Sequence, residues 1–140
     1  MEENDLLAIL SRHQGEEGPL LPILHDVHEA CGHIPDTAVP IIAGSLNLSR
    51  AEVHGTISFY HDFRRAPPTR PVLKLCRAEA CQARGADRIA AALAALDAVS
   101  VEPVYCLGLC ASGPSAMIGK QLFARLDESA AIALAKDAAR

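Results

Sequence analysis

Tryptophan is absent and aromatic side chains make up only 4% of the 140 residues, so a core has to be built from Ala, Leu, Ile and Val. Positive charge is scarce too: the formal net charge is −4, and no basic cluster exceeds a pair such as Arg64-Arg65. Phosphate binding needs a concentrated positive surface, so nucleic acid is not an expected partner. No apolar run approaches the ~20 residues that cross a bilayer, and no membrane insertion is expected. The opening MEENDLLAIL is acidic where a targeting segment is basic, which predicts a cytoplasmic protein. No glycine-rich phosphate loop follows a strand candidate, so the chain is not expected to bind a nucleotide itself. Its acids, Asp62 and Glu102 among them, show no paired arrangement for acid–base work, and no catalytic residue is expected.

What the chain does have is cysteine. Cys76-x4-Cys81 and Cys106-x3-Cys110 form two tight pairs with 24 residues between them (82 to 105). Four soft thiolates from two loops are a ligand set for an iron–sulfur cluster or a structural zinc, and redox thiols or four buried cysteines without metal are further readings. In the reducing cytoplasm a metal explains them better than disulfides do. Neither pair is the C-x2-C unit common in zinc sites, and loops of three and four residues suit a two-iron cluster better than one tetrahedral ion. The missing C-x-x-C also counts against a thiol–disulfide enzyme. Gly85, Gly108 and Gly113 stand close to these cysteines, where they let the backbone pass near sulfur and turn amides toward it.

The other candidate ligands fare less well. Cys31 continues an apolar helical stripe and reads as a small buried hydrophobe. His13, His25, His28, His33, His54 and His61 all fall in the first half. His25 and His28 are three apart on a helix and could share a metal, but solvated or capping roles fit them better.

The two halves differ in grammar. Leu20, Leu24, Val27 and Cys31 recur at helical spacing, with Pro19 and Pro22 at the start and Gly32 at the stop. A second helix is expected from Asp36, with its carboxylate as cap, and a third from the capping box Ser49-Arg50-Ala51-Glu52. The aromatics Phe59, Tyr60 and Phe63 suit either an interface or packing within the bundle. RRAPPTRP, residues 64–71, is the natural linker. Beyond it, Val72 to Leu75 reads as a strand, Ala83 to Leu96 as a helix, and Val99 to Tyr105 as a strand broken by Pro103, which suggests an edge or an irregular start. Gly119-Lys120 marks a hairpin, and a last helix opens at Asp127-Glu128 and closes near Lys136.

CRAEAC and, later, EPVYCLGLCASGPSAMI resemble the thioredoxin-like [2Fe–2S] ferredoxin family. LLPILHDVHEACGHIP and LNLSRAEVHGTISFYHDFRRAPP resemble that family's helical half, so the likeness spans about residues 18–126. The stretch from Cys81 to Cys106 is shorter than usual, and His28 stands where many relatives carry Gln. The resemblance implies an α/β fold, with a small helical bundle over residues 1–66 and a thioredoxin-like cluster domain over 67–140. It implies a [2Fe–2S] cluster held by Cys76, Cys81, Cys106 and Cys110, serving electron transfer in an NAD-linked oxidoreductase complex. Its partner there would be a subunit carrying flavin and the NADH site. PVYCLGLCASGPSAMI is most similar to the gamma subunits of NAD-dependent, molybdenum-containing formate dehydrogenases, which would add a molybdenum subunit. Respiratory NADH dehydrogenase and NAD-linked hydrogenase are the family's other settings. A zinc-stabilised assembly module without redox function is the alternative from a different class.

Overall fold

A computed structural model describes residues 2–140. The chain divides into two compact units, Met1–Pro67 and Pro68–Arg140.

The first unit is helical: α1 (Glu3–Arg12), α2 (Leu20–Cys31), α3 (Ala38–Leu46) and α4 (Arg50–Phe59). Of the stripe read from the sequence, Leu24 and Val27 are fully enclosed and Leu20 and Cys31 at its two ends are half-buried, while Ile23 beside it is nearly enclosed. α2 ends on Gly32, whose φ of 72° is the left-handed geometry that closes a helix and that glycine adopts without steric cost. The capping box of α4 is formed: Ser49 Oγ accepts from the Glu52 amide at 3.2 Å, and Glu52 Oε2 accepts from the Ser49 amide at 2.8 Å. The same Ser49 amide bond holds the Glu52 carboxyl below its usual value. Asp36 departs from expectation. α3 begins two residues later, with Thr37 in the capping position, and Asp36 Oδ1 instead accepts from Arg65 Nη2 at 2.5 Å. A guanidinium charge outcompetes amide hydrogens for that carboxylate. Pro40 is the third residue of α3, where its missing N–H interrupts no intrahelical bond.

The aromatics differ in burial, and Tyr60 packs edge-on against Phe63 at 5.9 Å. Phe63 is buried and packs its ring edge-on with His25 at 5.0 Å and His28 at 5.9 Å. Phe59 and Tyr60 are exposed and stack edge-on with each other at 5.2 Å. Cys31 is half-buried rather than enclosed, because the last turn of α2 runs out to a groove lined also by Asp5, Arg12 and His33.

His13, just past α1, joins that helix to α2. Its Nδ1 lies 2.8 Å from Glu16 Oε2 and its Nε2 3.0 Å from Asp26 Oδ2, while Arg12 Nη2 reaches the same Asp26 oxygen at 3.1 Å. The Glu16 bond and then the Asp26 bond hold the imidazole proton, raising its pKa above the usual value despite the opposing effect of desolvation. A raised folded-state pKa gives stability that is complete below the unfolded value of about 6.5 and is lost as pH climbs through the folded value. The urea midpoint of the wild type is therefore expected to fall between about pH 5.5 and pH 8.5 by more than that of His13→Asn. Circular dichroism measures both, and a pH-independent gap between the two proteins would defeat the assignment.

The second unit is a four-stranded sheet in the order β2-β1-β3-β4, with β1 (Val72–Cys76), β2 (Ser100–Val104), β3 (Ala116–Ile118) and β4 (Gln121–Phe123). β1 and β2 are parallel, in register from Val72 opposite Ser100 to Cys76 opposite Val104. A parallel pair needs a crossover, which α5 (Glu79–Ala83) and α6 (Ala86–Ala94) supply. β3 runs antiparallel to β1 and turns back through Gly119-Lys120 into β4. Pro103 sits on edge strand β2, where its missing donor does least harm. Leu73 and Leu75 of β1 are buried in one core with Ile89 and Leu93 of α6 and Ala131 and Ala135 of α7 (Glu128–Ala138). Asp127 caps α7 through the Ala130 amide at 2.7 Å. The helix expected over 83–96 is interrupted near its start: Gly85, at φ 98°, separates α5 from α6. Among the described residues no helix is long and apolar enough to cross a membrane.

Candidate metal centre

The four paired cysteines meet at one end of this sheet. β1 delivers Cys76 at its last position, where the Cys76 amide donates to Ser115 O at 2.9 Å and the Arg77 amide to Val104 O at 2.8 Å. α5 then lifts Cys81 back beside it. β2 ends at Val104, and after Tyr105 the chain turns through Cys106, whose φ of 87° is a strained choice for a residue with a Cβ. Such strain at a candidate ligand marks a backbone held for position rather than comfort. Cys110 opens a short 3-10 turn to Ser112, and Gly113 and the cis-bonded Pro114 lead into β3.

Sulfur chemistry dominates this end of the unit. Cys106 Sγ and Cys110 Sγ are 3.5 Å apart, and the Gly108 amide donates to Cys106 Sγ at 3.4 Å. Two sulfurs sharing one tetrahedral metal at about 2.3 Å lie roughly 3.8 Å apart, so the outer pair already has nearly that spacing. Cys76 and Cys81 are buried, whereas Cys106 and Cys110 are exposed. Burial pushes the Cys76 thiol up, but the amides of Ala78, Cys106 and Leu107 and the Cys81 side chain outweigh it and leave the thiol below its ordinary value. Cys110 moves the other way, chiefly through its bond to Cys106 and the charge there, with burial and the charge of Cys81 adding to it. Cys81 is thus within electrostatic reach of the outer pair. Four thiolates so placed repel one another until a cation joins them.

The residues fit a [2Fe–2S] cluster in donor type and in arrangement. Two buried and two exposed sulfurs form two pairs of candidate ligands, and Gly113 lies against one of the buried sulfurs. A Cβ built on Gly113 would stand 2.9 Å from Cys81 Sγ, closer than atoms tolerate, so the sulfur has its room because this residue has no side chain. Among the described residues, no three His, Cys, Asp or Glu side chains gather as a site for a single metal ion. His25 and His28 pack on Phe63, and Cys31 lies in the other compact unit.

Two contributors to the site were not legible in the sequence. Arg84 reaches from the end of α5 to the second loop, donating from Nη1 to Ala111 O at 2.8 Å. Ser115 is the one buried polar side chain among the described residues. A lone arginine or serine carries no spacing signal; each is recognised only by what the fold sets beside it.

Comparison with known proteins shows the family. The model of a family described as thioredoxin-like [2Fe–2S] ferredoxin matches residues 6–139. The chain is 26% identical over 119 residues to the NADP-reducing hydrogenase subunit HndA of Solidesulfovibrio fructosivorans, covering 77% of this chain and 70% of that one. It is 31% identical over 115 residues to an NADH-quinone oxidoreductase subunit of Escherichia coli K12, covering 74% and 69%. Against the NAD-reducing hydrogenase HoxS subunit alpha of Cupriavidus necator it is 29% identical over 135 residues, 89% of this chain but only 22% of that relative. A crystal structure of NAD+-reducing [NiFe]-hydrogenase in the H2-reduced state superposes with a TM-score of 0.70 at 25% identity, over 85% of this chain and 22% of that one.

Proposed function

This chain belongs to the thioredoxin-like [2Fe–2S] ferredoxin family, and from that premise we propose that it is the one-electron relay of an NAD-linked oxidoreductase complex, with Cys76, Cys81, Cys106 and Cys110 as cluster ligands. The observation that supports the reading is the outer pair, whose sulfurs are 3.5 Å apart at the same end of the sheet as the buried Cys76 and Cys81. When bound, a [2Fe–2S] cluster supplies a site that takes up and releases one electron without making or breaking a substrate bond. The protein's part is to hold, insulate and tune. Cys76 and Cys81 shield the inner side, and the Gly108 amide offsets negative charge on Cys106. Cys106 and Cys110 are exposed, as is Tyr105 beside them at 72%, so this edge is the one a redox partner can approach.

The finer reading is that the parent complex is an NAD-dependent formate dehydrogenase, with partners carrying flavin and the NADH site, and molybdenum. It is supported by the wording of PVYCLGLCASGPSAMI. A second reading, an NAD(P)-linked hydrogenase or NADH-quinone oxidoreductase, is favoured by the names of the relatives above. Support for a partner chain comes from HoxS subunit alpha, in which the matched stretch is about a fifth of one longer polypeptide. A module fused to a neighbour in one protein commonly docks on the separate equivalent in another.

Purification of the native protein from its own cells tests both levels. The expected result is brown protein with acid-labile sulfide, co-purifying with a formate-oxidising molybdenum subunit and a flavin subunit. Hydrogenase or membrane respiratory subunits in their place would overturn the formate assignment. Stoichiometric zinc without sulfide would overturn electron transfer itself.

A further inference from the structure

Ser115 stands between the two inner cysteines. Its carbonyl accepts the Cys76 amide at 2.9 Å, and its hydroxyl lies 3.7 Å from Cys81 Sγ, within the longer reach that sulfur's size allows. The residue is 1% exposed, so no bulk water competes for that hydroxyl. A buried hydroxyl without a partner is costly, and the partner this one has is a sulfur.

We infer that Ser115 is a positioning residue that donates its hydroxyl proton to the Cys81 sulfur and thereby raises the reduction potential of the site. The inference rests on the proposed function, in which Cys81 is a ligand. A metal-bound thiolate carries no proton, so of the two groups only the hydroxyl can donate. A donor aimed at sulfur favours the more negative, reduced state over the oxidised one. Burial strengthens the effect, because the surroundings screen it weakly. Gly113 contributes to the same geometry from two positions earlier, since its missing Cβ lets the backbone run against Cys81 Sγ.

The full chain, loaded with its cluster, is titrated electrochemically with the reduced signal followed by electron paramagnetic resonance. Iron and acid-labile sulfide are counted in parallel. Ser115→Ala is expected to keep its cluster but to lower the reduced-to-oxidised ratio at fixed potential about fivefold, or about 40 mV at 59 mV per tenfold for one electron. Ser115→Thr and Ser115→Val separate the hydroxyl from packing, because they have the same shape. Thr is expected to hold the wild-type potential and Val to fall with Ala. A wild-type potential in Ser115→Ala, or Thr and Val variants that shift alike, would overturn the role of the hydroxyl. A Cys81→Ala chain that retains the two-iron spectrum would instead remove the ligand assignment beneath it, so the two failures are distinguishable.

Discussion

Alanine in place of Cys81 is expected to leave the purified chain colourless, with iron and sulfide falling from two each per chain to background. The effect should be complete because the position is sealed. Cys81 is 1% exposed, so neither water nor a mobile carboxylate can enter to replace the lost thiolate. The oxygen beside it, Ser115 Oγ, is a neutral hydroxyl 3.7 Å from the sulfur and a poor ligand for iron. The outer pair offers a contrast, since Cys106 and Cys110 face solvent and Cys110→Ser keeps an oxygen in an open position. That variant should retain a fraction of its iron. Cys31→Ala, altering a half-buried residue of the helical unit, should retain all of it. Iron and sulfide assays on the four proteins give the ranking. Full loading of Cys81→Ala, or loss of loading in Cys31→Ala, would break the assignment. Because metal binding is coupled to folding, the alanine chain should also unfold at lower urea concentration than the loaded wild type.

Features that depend on near neighbours in sequence were legible. The capping box needs only Ser49 and Glu52, three apart, and it forms. Gly32 ends its helix, Gly119-Lys120 turns the hairpin, and Pro103 falls on an edge strand, because each acts through its own backbone geometry. The two cysteine pairs were legible for a related reason. Thiolates at short spacing after strand candidates mark a candidate site almost without regard to the rest of the chain.

Features set by distant neighbours were not legible. Asp36 has the composition of a helix cap, but the fold brings Arg65 to it from 29 positions away, and the stronger partner takes the carboxylate. The Ala-rich run after Ala83 reads as one helix from propensity, yet Gly85 at φ 98° ends one helical turn and starts another. That break separates Cys81, which must turn toward Cys76, from α6, which must lie along the sheet. Cys31 follows the apolar stripe faithfully, but a stripe cannot tell where the helix leaves the bundle. At the candidate metal centre the sequence marks the candidate donors and leaves out what surrounds them, because Arg84 and Ser115 acquire meaning only from the atoms they meet.

Gly113→Ala is the expected result that separates a requirement for space from a requirement for backbone freedom. Gly113 has an ordinary φ of −70°, so an alanine there carries no conformational strain. Its Cβ, however, would lie 2.9 Å from Cys81 Sγ and 3.7 Å from Cys81 Cα and Cys110 O. In the metal-free chain the Cys81 side chain can turn aside, at an overpacking cost of about 1–3 kcal/mol. A metal-bound sulfur has no such freedom, so the clash falls hardest on the loaded state. The variant is therefore expected to lose more than half of its iron while still folding, a cluster defect larger than its stability defect. Gly108→Ala is the mirror case. Its Cβ would meet nothing within 4 Å, but its φ of +76° is left-handed and should cost about 1–2 kcal/mol in strain. That variant should lose stability and keep its iron, since the amide donating to Cys106 Sγ is unchanged. Urea denaturation of the metal-free chains and iron-to-protein ratios of the loaded ones compare the two losses directly. Equal iron in the two variants would show that the close approach of Gly113 to Cys81 is incidental. Unequal iron, with Gly113→Ala the poorer, would make the missing methyl group as much a part of the centre as the sulfur it accommodates.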